Sequence, residues 1–406
     1  MARITLLGLL KAVPWLLLAP DLVSGDAVKD LQDRGRPNLD AAIARSSTCT
    51  KEKLQVRREW GDISAEEKKA YIAAVKCLLQ KPSRLDPVQF PGAKSRYDDF
   101  VVVHMNQTLT IHGTGSFLTW HRYYTWAFEK ALQTECGYQG TQPYWDWGRW
   151  AQDPENSPIF DGSDTSLSGN GEYIPGHRGS GVVPAGNGGG CVKTGPFKDM
   201  IVHLGPVAPA VDPPPPANPR PDGYGDNPRC LRRDISNQLS SRYLRTEDIV
   251  SLITNSQNIG TFQDVMQAVG GGFGGGFGGG FGGGFGGGFG GGFGGGFGGG
   301  PGFGGMGVHG AGHFTIAGDP GGDFYTSPND PAFWVHHAMI DRTWTIWQSL
   351  DLNARTQVVA GPRSMMGFGP QSTLDDLIDL GVVADKVYRI RDLTSVVDGP
   401  FCYVYE

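Results

Sequence analysis

The residues of this sequence that are best suited to chemistry are histidines, because seven of the nine in the 406-residue chain fall into two groups. The first group is His104, His112 and His121, and the second is His309, His313, His336 and His337. His309 and His313 are four residues apart, so a helix would carry both imidazoles on one face. Each group is accompanied by a helical pattern dense in aromatic residues. We therefore interpret the histidines as two related sites.

The residue types in both groups indicate metal binding by imidazoles alone. The sequence lacks the glutamate that lies between the paired histidines of a zinc peptidase. No cysteine or carboxylate recurs at ligand spacing, and a set of imidazoles suits copper, zinc or iron. Two such sets on facing helices of a bundle would form a dinuclear metal centre. A lone histidine would instead be interpreted as a surface or hydrogen-bonded core residue.

Four segments of the chain carry a family resemblance. HGTGSFLTWHRYYTWAFEKAL, PYWDWGRWAQDP and SPNDPAFWVHHAMIDRTWTIWQ look like the copper-binding signatures of the type-3 copper family, which contains tyrosinases, catechol oxidases and haemocyanins. CYVYE, with Tyr403 and Tyr405, is similar to the motif that closes the catalytic core of that family. The resemblance extends from about Cys49 to Glu406, apart from a glycine-rich repeat. It is greatest to the short secreted fungal polyphenol oxidases.

The resemblance implies a dicopper oxidoreductase that uses O2 to oxidise small phenols, converting o-diphenols to o-quinones. The implied ligands of the first copper are His104, His112 and His121, and those of the second are His309, His313 and His337. Spacing alone does not choose between His336 and His337, and the family pattern selects His337.

Two further positions bear on which phenols the implied enzyme oxidises. In this family an Asn or Asp directly after the first ligand of the second copper is linked to monophenol hydroxylation, and here that position is Gly310. Phe324 lies thirteen residues before His337, where some catechol oxidases carry a bulky aromatic residue over the copper. Both residues favour oxidation of o-diphenols or o-aminophenols over hydroxylation of monophenols.

Asp341 lies one helical turn after His337. A carboxylate at this position would accept a hydrogen bond from a ligand imidazole or pair with an arginine. The alternative is a surface ion pair with the neighbouring Arg342, and the sequence leaves both interpretations open.

Helical patterns dominate the segments that would position these residues. Ser64 followed by Glu67 predicts the start of a helix, and further helices are predicted over 116–134 and about 331–351. Residues 150–230 are rich in Gly, Pro, Asp and Asn, which predicts long loops, and strand patterns are limited to short runs near KVYRIRDL and CYVYE. The predicted fold is mainly α, with a four-helix-bundle core that holds the dinuclear copper site, long loops and a few short strands.

Residues 1–25 have the pattern of a secretory signal peptide, with a basic residue, an apolar run and small residues near the end. A membrane anchor is the alternative, but Lys11 and Pro14 interrupt the ~20 apolar residues that a span needs. We therefore predict a secreted protein in which 26–406 form one catalytic domain.

An exported chain is expected to form disulfides and to carry glycans. Six cysteines without a CxxC pair allow up to three bonds, and they are Cys49, Cys77, Cys136, Cys191, Cys230 and Cys402. The predicted pair is Cys191 with Cys230, which would close a loop rich in Pro and Gly, and the other pairings stay open. Asn106 begins an Asn-Gln-Thr glycosylation sequon.

Residues 270–305 form a low-complexity insert in which three glycines and a phenylalanine repeat. Each interior glycine costs a helix about 1 kcal/mol, so the insert is predicted to be a disordered loop. We consider two interpretations: a simple-sequence expansion in a tolerated loop, or a functional sticky surface or flap.

The net charge of -6 gives no reason to expect nucleic acid or an anionic membrane as a partner. The partners that the sequence predicts are small phenols, and it predicts no oligomeric state. Two other classes of protein remain as alternatives: a haemocyanin-like O2-binding protein and a Gly/Phe-rich structural or adhesive protein. The oxidase is favoured because the chain is short for a carrier and because a material does not require six placed histidines.

Overall fold

The computed structural model describes residues 27–180, 183–268, 306–367 and 369–406. Two predictions from the sequence, the signal peptide at 1–25 and the insert at 270–305, lie outside the described residues. No helix formed by the described residues has the length and apolar character that crossing a membrane requires.

The described chain is mostly helical, as predicted. Its α-helices in chain order are α1 (Ala27–Arg45), α2 (Ala65–Gln80), α3 (Arg96–Ile111), α4 (Phe117–Cys136), α5 (Trp147–Trp150), α6 (Asn237–Tyr243), α7 (Thr246–Asn255), α8 (Ile259–Gln267), α9 (Val308–Ile316), α10 (Ala332–Ser349) and α11 (Leu352–Arg355). Short 3-10 helices cover Trp60–Asp62, Ser327–Asn329, Gly381–Val383 and Ile390–Leu393.

The strands are short and pair in twos. They are β1 (Gln55–Arg57), β2 (Gly171–Tyr173), β3 (Gly189–Val192), β4 (Ile201–Val202), β5 (Arg229–Cys230), β6 (Leu377–Ile378), β7 (Tyr388–Arg389) and β8 (Tyr403–Tyr405). β1 pairs with β8 in parallel, and the pairs β2–β3, β4–β5 and β6–β7 are antiparallel. The strands predicted near KVYRIRDL and CYVYE are β7 and β8.

The predicted helix starts agree with the structure where capping residues define them. α2 begins after Ser64, whose hydroxyl accepts the amide N–H of Glu67, while the Glu67 carboxylate accepts the N–H of Ser64. The helices predicted over 116–134 and 331–351 are α4 and α10. α3 was not predicted, although Ser95 and Asp98 form the same reciprocal cap at its start.

In the core, α10 packs against α4. Every residue of α10 from Ala332 to Ser349 is buried. Phe128 of α4 stacks on Trp334 of α10, with ring centroids 3.6 Å apart and planes inclined by 2°. Burying one large apolar side chain stabilises the fold by about 1.5–3 kcal/mol, so this contact fixes two helices that carry histidines. The four-helix arrangement of the core stays a prediction.

Three disulfides use all six cysteines: Cys49–Cys402, Cys77–Cys136 and Cys191–Cys230. The last pair is the predicted one. Cys77–Cys136 joins α2 to the end of α4, and Cys49–Cys402 lies beside the β1–β8 pair. Segments that are far apart in the sequence are therefore covalently joined around the helices.

The residues that border the insert lie side by side. α8 ends at Gln267 and α9 begins at Val308. Between them Gly307 packs against the backbone, where an added Cβ atom would lie 2.3 Å from the carbonyl oxygen of Met266 and 2.5 Å from that of Val265. The described residues on the two sides of the insert therefore pack against each other.

We expect a variant with a single Gly-Gly-Gly-Phe unit in place of residues 270–305 to keep the described fold, because the bordering residues are already adjacent. Its melting temperature should lie within about 2 °C of that of the parent chain, measured by circular dichroism. The control is Gly307→Ala, whose Cβ would disturb the junction itself and lower the melting temperature. A loss of structure in the shortened chain would contradict the prediction.

Candidate metal centre

The first histidine group is assembled by two helices and the residue between them. His104 lies in α3, His112 follows the last residue of α3, and His121 lies in α4. All three side chains are buried. The ring centroid of His112 is 5.2 Å from that of His104 and 5.0 Å from that of His121. One potential ligand atom from each ring lies within 4.8 Å of the others.

Each ring of the first group donates from Nδ1 to a backbone carbonyl oxygen. The acceptors are Tyr325 for His104 (2.8 Å), Thr108 for His112 (2.9 Å) and Phe117 for His121 (2.8 Å). A carbonyl oxygen only accepts, so the proton of each neutral ring is on Nδ1 and the lone pair is on Nε2. The Nε2 atoms of His104 and His121 are buried and have no hydrogen-bond partner among the described residues.

The second histidine group lies on two neighbouring helices, with His309 and His313 on α9 and His336 and His337 on α10. The Nε2 atoms of His313 and His337 are 3.1 Å apart. The Nε2 of His309 is buried and has no hydrogen-bond partner among the described residues. The ring of His337 stacks on His121 of the first group at 4.5 Å, so the two groups adjoin.

His336 contacts α9 in a different way from His337. Its Nε2 donates to the backbone carbonyl oxygen of His309 at 3.0 Å. The ring lies where a side chain on α9 would be, because a Cβ atom added to Gly312 would be 2.0 Å from Cε1 of His336. The other face is near Trp147, with ring centroids 5.3 Å apart. His336 therefore ties α9 to α10 through Nε2, while its Nδ1 is buried and has no hydrogen-bond partner among the described residues.

Aromatic rings border both histidine groups. Phe117 lies 4.9 Å from both His121 and His309, measured between ring centroids. Phe333 stacks on His337 at 4.1 Å. The sequence did not indicate either phenylalanine as part of the site, although Phe333 precedes His337 by one helical turn and Phe117 precedes His121 by the same interval.

Burial keeps the imidazoles uncharged. It lowers the pKa of His112 to about 4 and that of His336 to about 3. Burial, reinforced by the neighbouring imidazoles, lowers the pKa values of His104, His121, His309, His313 and His337 well below the ordinary value. Neutral imidazoles with free lone pairs are the form that binds a metal ion, and an all-imidazole donor set suits copper. The residues therefore fit two copper ions.

The two positions that the sequence predicts to affect substrate choice lie next to the histidines. The ring of Phe324 is 4.7 Å from that of His112. Gly310 is partly exposed, and a Cβ atom added to it would contact only Cγ of Met306, at 3.4 Å. Both residues therefore adjoin the site, and Gly310 has room for a side chain.

Asp341 is buried in the core beneath the site. Its carboxylate accepts from Arg122 Nε at 2.5 Å, and from the hydroxyl groups of Tyr403 at 2.7 Å and Tyr405 at 2.6 Å. Arg57 approaches it at 3.4 Å. In the part of the chain that the structure describes, Asp341 makes no hydrogen bond to an imidazole. The structure therefore pairs Asp341 with arginine side chains, as one of the interpretations of the sequence proposed, and not with a ligand imidazole.

The alternative of a surface pair between Asp341 and Arg342 is wrong. Adjacent residues on a helix point in different directions, and Arg342 instead donates to Gln32 and lies 3.5 Å from Asp146. Burial by itself opposes ionisation of Asp341, but the two guanidinium groups and the tyrosine hydroxyls hold its pKa below the ordinary value.

Such a fold and such a pair of neighbouring imidazole groups define a type-3 dicopper oxidoreductase. Residues 94–350 match the family model of the common central domain of tyrosinase. The chain belongs to the tyrosinase family.

Individual relatives agree with this assignment. The chain is 40% identical to the tyrosinase-like protein orsC of Emericella nidulans over 80% of its own length and 82% of the relative's. It is 37% identical to tyrosinase P of Aspergillus terreus over 86% and 91% of the two chains. Among solved structures, a variant of the polyphenol oxidase of Thermothelomyces thermophila is 38% identical, with a TM-score of 0.78 over 93% of this chain and 97% of the other. Members of the family act on phenols.

We expect Asp341→Asn to lower the free energy of unfolding by about 3–5 kcal/mol, because it leaves the buried guanidinium group of Arg122 without a carboxylate, whereas Arg57 keeps its pair with Glu129 at 2.5 Å. The matched control is Asp40→Asn, which removes an exposed partner of Arg36 and should cost less than about 1 kcal/mol. Denaturant titration of the two variants measures the difference. Equal losses would show that the buried pairing adds nothing.

Proposed function

We propose that the chain is a secreted dicopper oxidase that uses O2 to convert o-diphenols to o-quinones. The proposed ligands of the first copper are His104, His112 and His121, and those of the second are His309, His313 and His337. The observation that carries the proposal is the set of buried Nε2 atoms without partners on His104, His121 and His309. A buried polar atom without a partner costs about 1–3 kcal/mol, and a metal ion that accepts the lone pair removes that cost.

When bound, the copper ions transfer electrons from the phenol to O2. The chain contributes orientation and the exclusion of water. The backbone carbonyls behind the first histidine group hold the Nδ1 protons, which keeps each Nε2 lone pair directed inward. Phe117 and Phe333 cover the histidines with apolar surface. We infer that the phenol ring approaches beside Phe324 and Gly310, because both residues are partly exposed and adjoin the histidines.

The choice of His337 over His336 has support in their different contacts. His337 directs Nε2 at the Nε2 of His313, as two ligands of one ion would. His336 uses its Nε2 proton in a hydrogen bond to the carbonyl oxygen of His309. We propose that His336 holds α9 in place and that His337 binds copper.

We expect His337→Gln to retain one copper ion per chain instead of two, because the second copper loses a ligand. His336→Gln is the matched control, since its amide still donates to the carbonyl oxygen of His309, and it should retain both ions. Copper per chain is measured by atomic absorption after dialysis. Loss of copper from His336→Gln but not from His337→Gln would reverse the assignment.

The proposed preference for o-diphenols or o-aminophenols depends on Gly310 and Phe324. In the family, the side chain after the first ligand of the second copper holds a water that takes the proton of a monophenol, and Gly310 offers no such group. The ring of Phe324 lies beside His112 and would narrow the path by which a phenol reaches the copper ions. A copper-loaded chain should therefore oxidise catechol readily and tyramine poorly.

We expect Gly310→Asn to raise kcat/KM for tyramine at least about 10-fold relative to catechol, because the amide supplies a group that orients a proton-accepting water. Gly310→Ala is the control, since it adds a side chain without the amide. O2 consumption and quinone absorbance are the measurements. Tyramine oxidation by the parent chain without a lag, at rates near those for catechol, would show that neither residue restricts the reaction.

The same assay tests the proposed function as a whole. Copper binding without quinone formation from any phenol in a panel of mono-, di- and aminophenols would favour an O2-binding protein. Failure to bind copper would remove both the oxidase and the carrier and leave the structural or adhesive alternative.

Secretion has separate support. Residues 1–25 have a signal-peptide pattern, and three disulfides are typical of an oxidising compartment. Asn106 is exposed on α3, so a glycan there would extend into solvent. We therefore propose export through the secretory route with Asn106 as a glycosylation site.

A further inference from the structure

The connection between α9 and α10, residues 317–331, contributes two groups to the first histidine site. The ring of Phe324 lies 4.7 Å from that of His112. The backbone carbonyl oxygen of Tyr325 accepts the Nδ1 proton of His104 at 2.8 Å. One short segment thus sets both the direction of an imidazole and the position of an aromatic ring beside it.

Asp323 immediately precedes these two residues and is fully buried. One carboxylate oxygen accepts the backbone N–H groups of Tyr325 at 2.9 Å and Thr326 at 3.2 Å. The other accepts those of Val207 and Ala208, both at 2.7 Å. The first pair closes a turn around Phe324, and the second pair anchors that turn to a separate loop.

Asp323 differs from the other buried carboxylates of the same connection. Asp319 forms two hydrogen bonds with Arg229, and Asp330 forms two with Arg233. Within the described residues no cationic side chain pairs with Asp323, whose acceptors are occupied by four backbone N–H groups. Burying a carboxylate without a cation is costly, and here the four backbone N–H groups offset that cost. Asp323 therefore fixes the backbone and does not neutralise a charged side chain.

We propose that Asp323 is a positioning residue for the first copper site, which directs the imidazole of His104 through the Tyr325 carbonyl and holds Phe324 against the path of the phenol. The inference rests on the proposed function, because it takes His104 as a copper ligand and Phe324 as a selector of substrate. Four N–H donors require two acceptor oxygens. An asparagine side chain supplies only one acceptor oxygen. Its NH2 group would then face two of the backbone N–H groups, which are also donors.

The test compares Asp323→Asn with Asp319→Asn in the copper-loaded full-length chain. Both substitutions alter a fully buried carboxylate of the same connection, but Asp319→Asn leaves the turn around Phe324 intact. The EDTA concentration is chosen so that the Asp319→Asn control keeps two copper ions. At that concentration Asp323→Asn should retain one copper ion. The reason is that losing the hydrogen bond that orients a ligand imidazole weakens metal affinity about 10–100-fold.

A second readout separates copper binding from substrate selection. The ratio of kcat/KM for 4-tert-butylcatechol to that for catechol should change about 10-fold in Asp323→Asn. Phe324→Ala should change the same ratio while retaining both copper ions. If Asp323→Asn does not fold, Asp323→Ser replaces it, because its hydroxyl still accepts within the turn but does not reach the loop at residues 207–208.

Copper retention and a substrate ratio in the Asp323 variant that match those of Asp319→Asn would overturn the proposal. Failure of the proposed function gives a different result, because the parent chain would then bind no copper or form no quinone before any variant is compared.

Discussion

The buried carboxylate of Asp341 joins the two helices that carry His121 and His337, one histidine from each group. It lies one turn after His337 on α10 and pairs with Arg122, which directly follows His121 on α4. Arg57 of β1 and two tyrosine hydroxyls of β8 complete its partners. Removing charges from water costs several kcal/mol per ion and is offset only while the partners remain in place. The helices that carry His121 and His337 are thereby held to each other and to the β1–β8 pair.

Six of the seven imidazoles are buried and that of His313 is partly buried, and the pKa values of all seven are lowered below the ordinary value. Burial prevents protonation of the rings, and the backbone carbonyl oxygens behind the first group determine which nitrogen carries the proton. The site is thus prepared by desolvation and by main-chain geometry, and no carboxylate of the described residues is hydrogen-bonded to a histidine of either group. His336 and His337 have the same side chain but different contacts, because the Nε2–H of His336 donates to the backbone carbonyl oxygen of His309 on α9.

The sequence predicts the parts of this arrangement that depend on local patterns. Histidine spacing, the cap at Ser64 and the resemblance indicated the family, the mainly helical fold and the histidines that the fold brings together. α3 was not predicted, although Ser95 and Asp98 mark its start; its Val101–Val103 run by itself favours a strand, a preference that tertiary packing overrides. The two arginine partners of Asp341 are 219 and 284 residues distant in the sequence, which no local pattern reveals. The hydrogen bond from His104 uses the main-chain carbonyl oxygen of Tyr325. Any residue type offers that oxygen, so the sequence does not indicate the contact.

The junction at Gly307 has a consequence for how such chains change over generations. Short identical DNA repeats gain and lose units through slippage of the copied strands. Since the described residues on the two sides of positions 270–305 pack against each other, we expect an added or lost Gly-Gly-Gly-Phe unit to alter the length of the gene product while this junction is kept. This junction then sets no limit on the number of units, but it does restrict position 307, because a Cβ atom there would lie 2.3 Å from the carbonyl oxygen of Met266.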